Sequence, residues 1–191
     1  MPVHQRQARD KARRHQRIIT TARQLAEAEG WDAVTTRRLA EAIEYSQPVL
    51  YSHFQNKNAI IAAVALQGFA ELAVAMRAAR QQAPATQAAL LALARAYLTF
   101  AQANPALYQA MFTLADLPFA QSETPAPLRE GFAELREALA PLTGDRDLDT
   151  LGEITWSTLH GLATLTSSHR LRPGHGEQRL TLLIHQIATA P

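Results

Sequence analysis

Apolar residues recur every three or four positions along most of this chain, and the strict alternation that marks a β-strand is nearly absent. Ala, Leu, Gln, Arg and Glu, which favour helices or tolerate them well, dominate the stretches between Gly-, Pro- and Asn-containing breaks. These breaks separate about nine helical stretches. The sequence therefore predicts an all-α fold.

The composition is that of a folded protein. The chain has 191 residues, of which 47% are hydrophobic and 19% charged, so it is long enough to bury a core and hold a separate pocket. It contains no cysteine, which excludes disulfide scaffolds, thiolate zinc sites and cysteine nucleophiles together. The absence of cysteine also fits a reducing cytoplasm.

Charge is distributed unevenly along the chain. Residues 1–58 hold ten Lys and Arg and six Asp and Glu, whereas the remaining residues hold nine and eleven. A basic segment joined to an acidic one is expected when only the first segment meets a polyanion. A solvated basic tail gives the same balance, so charge alone leaves both interpretations open.

Neither a signal peptide nor a membrane span is expected. The N-terminus is polar and rich in arginine, with no apolar stretch after it. The apolar run Ala59–Leu66 is stopped by Gln67, Gly68 and Glu71, which leaves it too short to cross a bilayer as a helix.

The first 58 residues predict a three-helix arrangement. A support helix over Arg13–Glu29 is followed by a short helix capped by Thr35 or Thr36. The turn Glu44–Ser46 leads to a third helix over Gln47–Phe54, with Ser46 as its expected cap. Two short helices joined by a three-residue turn form the helix-turn-helix geometry that places the second helix in a DNA major groove.

The third helix is expected to show a polar face to DNA. Its spacing directs Gln47, Tyr51 and His53 outward and the apolar side chains toward the support helices. Each exposed type can donate a hydrogen bond to a phosphate or a base edge. Gln47 stands near the end that enters the groove first, so it is the best candidate for reading a base, because its amide can pair bidentately with adenine.

Two runs of residues carry a resemblance to a known family. Thr35-Thr36-Arg37-Arg38-Leu39-Ala40 and Leu50-Tyr51-Ser52-His53-Phe54-Gln55-Asn56-Lys57 are similar to the signature of TetR family transcriptional repressors. The resemblance covers residues 14–60 strongly and the remainder in architecture. It implies that eight positions lie at the DNA: Thr36, Arg37, Ser46, Gln47, Pro48, Tyr51, His53 and Lys57. Pro48 departs from the small residue of many members, which alters the backbone approach to phosphate there.

Several of these residues have a plain structural alternative. Tyr51 alone could pack on the support helix, Lys57 could be a solvated charge at a helix start, and Thr36 could be only a cap. The cations before the support helix either reach phosphates or a minor groove, or form a loose tail. They are Arg6, Arg9, Lys11, Arg13, Arg14 and Arg17.

The rest of the chain predicts apolar helices around a pocket. The predicted helices are Asn58–Gln82, one opening at Pro84, Ala106–Leu114, Leu128–Leu139, Leu148–Ser168 and Glu177–Ala188, with a loop over Asp116–Pro127. A mostly apolar cavity with a few polar groups is the usual small-molecule site. The candidate ligand-binding residues are Tyr97, Phe100, Tyr108, Met111, Phe112, Trp156 and His160. Each could instead belong to the core, and His160 could be a hydrogen-bonded core histidine.

Two further features in this part resemble the same family. Trp156, His160 and Gly161 form a Trp-x-x-x-His-Gly pattern similar to one TetR-like subgroup, and Asn104–Tyr108 is similar to it as well. The last two predicted helices carry apolar faces, and the family resemblance implies that they pair with a second copy. A homodimer with two recognition helices matches a pseudo-palindromic site.

The sequence therefore predicts a DNA-binding domain over 1–58 and a helical ligand-binding and dimerisation domain over 59–191. Together they would form a repressor that a small apolar molecule releases from its operator. No metal spacing, phosphate loop or nucleophile elbow stands out, so we expect no cofactor and no enzyme. A DNA-binding architectural protein without sequence preference is the alternative, and a pure protein-interaction module is a more distant one.

Overall fold

The computed structural model describes residues 3–83 and 86–189, with side chains from Gln5 onward. Within these ranges the chain forms nine α-helices and no strand, which confirms the all-α prediction. The helices are α1 Val3–Glu29, α2 Thr36–Ile43, α3 Gln47–Tyr51, α4 Lys57–Gln82, α5 Thr86–Ala103, α6 Pro105–Gln109, α7 Ala126–Leu139, α8 Leu148–Ser167 and α9 Gly176–Thr189. A π-helical turn, Ala110–Leu114, continues α6.

The chain divides into two compact units. The first comprises Met1–Gly68 and Asn104–Leu117, and the second comprises Phe69–Ala103 and Pro118–Pro191. The predicted boundary between residues 58 and 59 does not coincide with this division, which falls inside α4 and gives α6 to the first unit.

Polar contacts explain why α6 belongs to the first unit. The Glu27 carboxylate on α1 accepts hydrogen bonds from the amides of Ala106 and Leu107, at 3.1 and 2.9 Å. These amides lie at the start of α6, where intrahelical partners are missing. The indole Nε1 of Trp31 donates to the Ala106 carbonyl at 2.8 Å. Glu27 thus caps the start of α6 from about 80 positions earlier in the chain, and Trp31 adds a second link to the same helix.

The first unit has a conventional apolar core beneath these contacts. Apolar side chains from α1, α2, α3 and the start of α4 are almost fully buried together. They include Ile18, Ala22, Leu39, Ile43, Leu50 and Ile60. This core fixes the directions in which the remaining faces of α2 and α3 point.

The second unit packs α5 against α7, α8 and α9. Its core is again aliphatic, and Tyr97 is buried within it. Glu134 on α7 is a buried acid, and its carboxylate accepts hydrogen bonds from Arg77 at 2.6 Å and from Arg80 at 2.7 Å. The two guanidinium groups replace the water that the carboxylate loses on burial.

Several predicted helix limits differ from the observed ones, most by a single residue and three by more. α1 begins at Val3, not at Arg13, because the preceding Gln, Ala, Arg and Lys residues are themselves compatible with a helix. α3 ends at Tyr51, since the Ser52 hydroxyl and the amides beyond it turn back onto the helix carbonyls. α7 begins at Ala126, inside the predicted loop. Pro84, the predicted start of the fifth helix, lies outside the described residues.

α4 is long and apolar enough to cross a bilayer by length and composition alone, with a mean hydropathy of 1.9 over its most apolar stretch. Half of that stretch is buried inside the protein. Burial of this kind is typical of a core helix in a folded protein.

Candidate nucleic-acid interface

α2 and α3 are joined by the predicted three-residue turn. Thr35, not Thr36, caps α2, because its side chain accepts a hydrogen bond from the Arg38 amide at 3.2 Å. Glu44 ends α2 in the left-handed region with φ of 59°, and the Tyr45 amide reaches back to the Ala40 carbonyl at 3.0 Å. The local sequence therefore builds a sharp turn between two short helices.

Burial of one side of α3 leaves the other side exposed. Leu50 is 1% exposed and Phe54, just beyond the helix, is buried as well. Gln47 and Pro48 are exposed, and Tyr51 is 51% exposed. Ser46 occupies the predicted N-cap position of α3, but its hydroxyl makes no capping hydrogen bond. Its side chain remains on the surface beside Gln47.

His53 does not point outward as predicted. Because α3 ends at Tyr51, the next turn carries the His53 ring back toward α1, where its centroid lies 6.0 Å from that of His15. His15 also stacks on Phe54 at 4.3 Å. The buried Nδ1 atom of His53 has no hydrogen-bond partner among the described residues. Burial, and then the charges of His15, Lys11 and Arg14, lower the pKa of His53.

Cations of α2 lie on the surface of the same unit. The Arg37 side chain is 79% exposed and its Nε donates to Glu41 at 2.9 Å, one turn along the helix. This hydrogen bond raises the pKa of Arg37. Arg38 forms two parallel hydrogen bonds to Glu29, at 2.7 and 2.8 Å, and so ties α2 to the end of α1. Thr36 is half-buried at the first position of α2.

Lys57 is held in place and is not a simply solvated charge. Its Nζ donates to the Trp31 carbonyl at 2.6 Å, and the side chain is half-buried. Asn56 caps the same helix start, because its Oδ1 accepts from the Ala59 amide at 2.9 Å. An ammonium group has three N–H donors, so Lys57 retains the capacity to bind a further acceptor.

All eight predicted DNA-contact positions lie in the first unit. The seven predicted ligand-binding residues do not lie together in one unit. Tyr108, Met111 and Phe112 belong to the first unit, where the Tyr108 and Phe112 rings are 4.6 Å apart and Met111 is fully buried. A Cβ atom built on Gly68 would lie 2.6 Å from the Met111 sulfur, which shows how closely α4 and this segment pack.

Tyr97, Phe100, Trp156 and His160 belong to the second unit. There Tyr97 lies in the core, and His160 is half-buried, with a pKa that burial lowers. The Trp156 ring is 5.6 Å from Phe119 and 6.4 Å from Phe132. Sequence reasoning missed both phenylalanines, although an aromatic residue inside the Pro-rich stretch around Phe119 was a signal that this stretch packs against the fold.

These geometries define the class of the protein. A short capped helix, a three-residue turn and a second short helix with a polar exposed side are the parts of a helix-turn-helix DNA-binding module. The family comparisons match at both ends of the chain. The model for bacterial regulatory proteins of the tetR family matches residues 18–64, and the tetracyclin repressor-like C-terminal domain matches residues 90–189. The chain belongs to the TetR family.

Individual relatives are similar over different shares of the chain. The class C tetracycline repressor protein of Escherichia coli is 48% identical over 48 residues, 25% of this chain and 22% of the repressor. The uncharacterized HTH-type transcriptional regulator YobS of Bacillus subtilis is 32% identical over 93 residues, 49% of this chain and 48% of YobS. This chain thus spans less than half the length of either relative.

A solved structure is similar over nearly the whole chain. The structure of a protein with unknown function from Rhodococcus sp. RHA1 superposes with a TM-score of 0.75 and 26% identity. The similarity covers 91% of this chain and 92% of the other.

Proposed function

We propose that this protein is a sequence-specific, DNA-binding transcriptional repressor that a small apolar molecule releases from a pseudo-palindromic operator. The observation that carries the proposal is the exposed polar side of α3, held by the buried Leu50 and Phe54 and flanked by the surface cation Arg37. A recognition helix needs both a fixed orientation and side chains that reach base edges.

Within this proposal some exposed side chains contact bases and others contact the DNA backbone. Gln47, on the first turn of α3, reads a base through its amide, and Tyr51 and Ser46 donate hydroxyl hydrogen bonds to phosphate or a base edge. The remaining five positions contact the backbone: Thr36, Arg37, Pro48, His53 and Lys57. Arg37 then shares its guanidinium between Glu41 and phosphate, because the ion pair leaves most of the group exposed.

A second copy of this chain is the proposed protein partner. The last two helices expose large apolar side chains, Ile154 and Leu165 on α8 and Leu182 on α9. Water-exposed aliphatic groups of this size favour association, since burying them removes apolar surface from water. A twofold dimer would present two α3 helices to two half-sites, which explains a palindromic operator.

The effector is proposed to be apolar because the second unit holds adjoining aromatic rings. Phe119 lies 5.7 Å from Phe69 and 5.6 Å from Trp156, and His160, one turn after Trp156, adds a polar group. By linkage, an effector that weakens operator binding must itself bind more weakly when the operator is present. The protein is proposed to act in the cytoplasm as a regulator without catalytic activity.

Selection of the purified protein on a random-sequence DNA library at moderate salt tests the proposal. We expect the parent chain to enrich a palindromic consensus. Gln47→Ala should lose discrimination at one position in each half-site, by about 1–3 kcal/mol per base pair. Tyr51→Phe should weaken binding with a smaller change in consensus, because it removes one hydroxyl donor.

Gln178→Ala is the matched control, since Gln178 is an exposed glutamine on α9 in the second unit. It should leave the consensus unchanged. Enrichment without sequence preference would instead favour the architectural alternative, which predicts strong salt dependence and little base discrimination. A chain that retains no DNA would overturn the proposed function.

A further inference from the structure

The N-terminal part of α1 is a basic helix and not a loose tail. α1 runs without a break from Val3 to Glu29, and nearly all of its side chains from Gln5 to Arg17 are exposed. Six cations lie on these turns: Arg6, Arg9, Lys11, Arg13, Arg14 and Arg17. A helix keeps such side chains at defined positions, which an extended minor-groove arm does not.

One face of α1 lies beside the C-terminal end of α3. Ile18 is fully buried in the core of the first unit. Lys11, Arg14 and His15 precede it by seven, four and three residues, so they lie on the same face of α1 within two turns. On this face the His15 ring stacks on Phe54 and lies 6.0 Å from His53. Toward the N-terminus, the face of α1 that carries the buried Ile18 thus becomes cationic, with Lys11 and Arg14. This cationic part lies beside the last residues of the helix-turn-helix.

Lys11 and Arg14 are cations on the face of α1 that also carries His15, and His15 lies beside His53; we name these four residues the basic cluster. The charges of the first three disfavour protonation of His53, which shows that they act at its ring. In the part of the chain with described side chains, no carboxylate forms an ion pair with Lys11, Arg14 or His15. An anion that bound here would be attracted by the Lys11 and Arg14 cations and would accept hydrogen bonds from several donors.

We infer that the basic cluster is a phosphodiester-binding site that binds phosphates of the operator backbone outside the base pairs contacted by α3. The inference rests on the proposed function. Gln47 is at the start of α3, whereas the cluster is at the opposite end, beside His53 and Phe54. The start of a recognition helix faces base edges, and protein groups on either side of that helix contact the phosphates along the edges of the groove. The cluster thus lengthens the DNA footprint without adding base preference.

The test compares two duplexes carrying the selected operator, one limited to the consensus and one extended by about 10 base pairs, one helical turn, on each side. Dissociation constants are measured over a range of salt concentrations. The test protein is the double variant Lys11→Gln, Arg14→Gln, which keeps two good helix formers. The matched control is Arg170→Gln, Arg172→Gln, two exposed arginines of the second unit, which removes the same charge.

We expect the parent chain to bind the extended duplex on the order of 10-fold more tightly than the short one. The double variant should lose this gain, and its salt slope should fall by about 0.9 for each phosphate contact removed. Its consensus and its affinity for the short duplex should match those of the parent and the control. Ethylation of flanking phosphates should interfere with binding by the parent and not by the double variant.

Equal binding of both duplexes by the parent would overturn the inference while leaving the proposed function intact. The same conclusion follows if the control loses as much of the flank gain as the double variant. If the parent binds DNA without sequence preference, the proposed function fails, but a reduced salt slope of the double variant on any long duplex still supports the basic cluster. Absence of all DNA binding overturns both.

Discussion

The two units use charged side chains in different places. In the second unit Glu134 is 3% exposed and bound by both Arg77 and Arg80. In the first unit the pairs Arg37–Glu41 and Arg38–Glu29 lie on the surface. The basic cluster carries cations without a carboxylate partner among the described side chains.

This contrast separates charge used for folding from charge left for binding. A buried carboxylate must be compensated within the fold, because burial without partners costs several kcal/mol. A surface pair in water contributes little to stability, so its members remain available to a polyanion. The first unit therefore presents cations on its surface, whereas two arginines of the second unit serve its own packing.

Removing the buried carboxylate should produce the largest effect. We expect Glu134→Ala to lower the free energy of unfolding by about 3 kcal/mol, because Arg77 and Arg80 lose the buried carboxylate that they share. Urea denaturation followed by circular dichroism measures the change. Glu137→Ala is the control, since Glu137 also pairs with Arg80 but is exposed. Similar losses in the two variants would show that burial does not distinguish the two carboxylates.

The cap of α6 should contribute less. We expect Glu27→Ala to destabilise the protein by about 1 kcal/mol, because the amides of Ala106 and Leu107 lose their acceptor. Hydrogen exchange at these two amides should also become faster. Gln24→Ala, a neighbouring exposed position on α1, serves as the control. Unchanged exchange in Glu27→Ala would mean that the cap does not protect the start of α6.

Acid should weaken the first unit through His53. Burial and the nearby cations lower the pKa of His53 in the folded protein below its unfolded value of about 6.5. Above pH 6.5 the ring is neutral in both states, and its contribution to stability is complete. As pH falls below this value the unfolded state binds the proton first, so stability declines.

Urea midpoints at pH 7.5 and 5.5 should therefore differ less in His53→Gln than in the parent chain. His185→Gln is the control, because His185 is exposed on α9 in the second unit. A pH dependence that His53→Gln leaves unchanged would contradict the assignment.

The surface ion pair should have the smallest effect. Arg38→Gln removes two short hydrogen bonds to Glu29, yet both side chains are about half exposed and water can replace each partner. We expect a thermal midpoint indistinguishable from that of the parent chain. A shift as large as that of Glu134→Ala would break the contrast between the two units.

Sequence reasoning succeeded where the determinants are close together in the chain. The Thr35 cap, the Glu44–Ser46 turn and the buried Leu50 depend on residues within about one helical turn of each other, which spacing reveals directly. The prediction failed for His53 because a helix end was placed three residues too late, at Phe54 instead of Tyr51. A helix end depends on competing local hydrogen bonds, such as that of the Ser52 hydroxyl, which residue types do not rank.

Residue types and their spacing by themselves determined the all-α fold, the helix-turn-helix and the family signature. Only the tertiary structure decided that residues 104–117 belong with the N-terminal helices, that Phe119 and Phe132 flank Trp156, and that Glu134 is buried between two arginines. The physical reason is distance along the chain. Helical periodicity identifies a buried face, but the face that packs against it depends on contacts between residues far apart in sequence, such as Glu27 and Leu107.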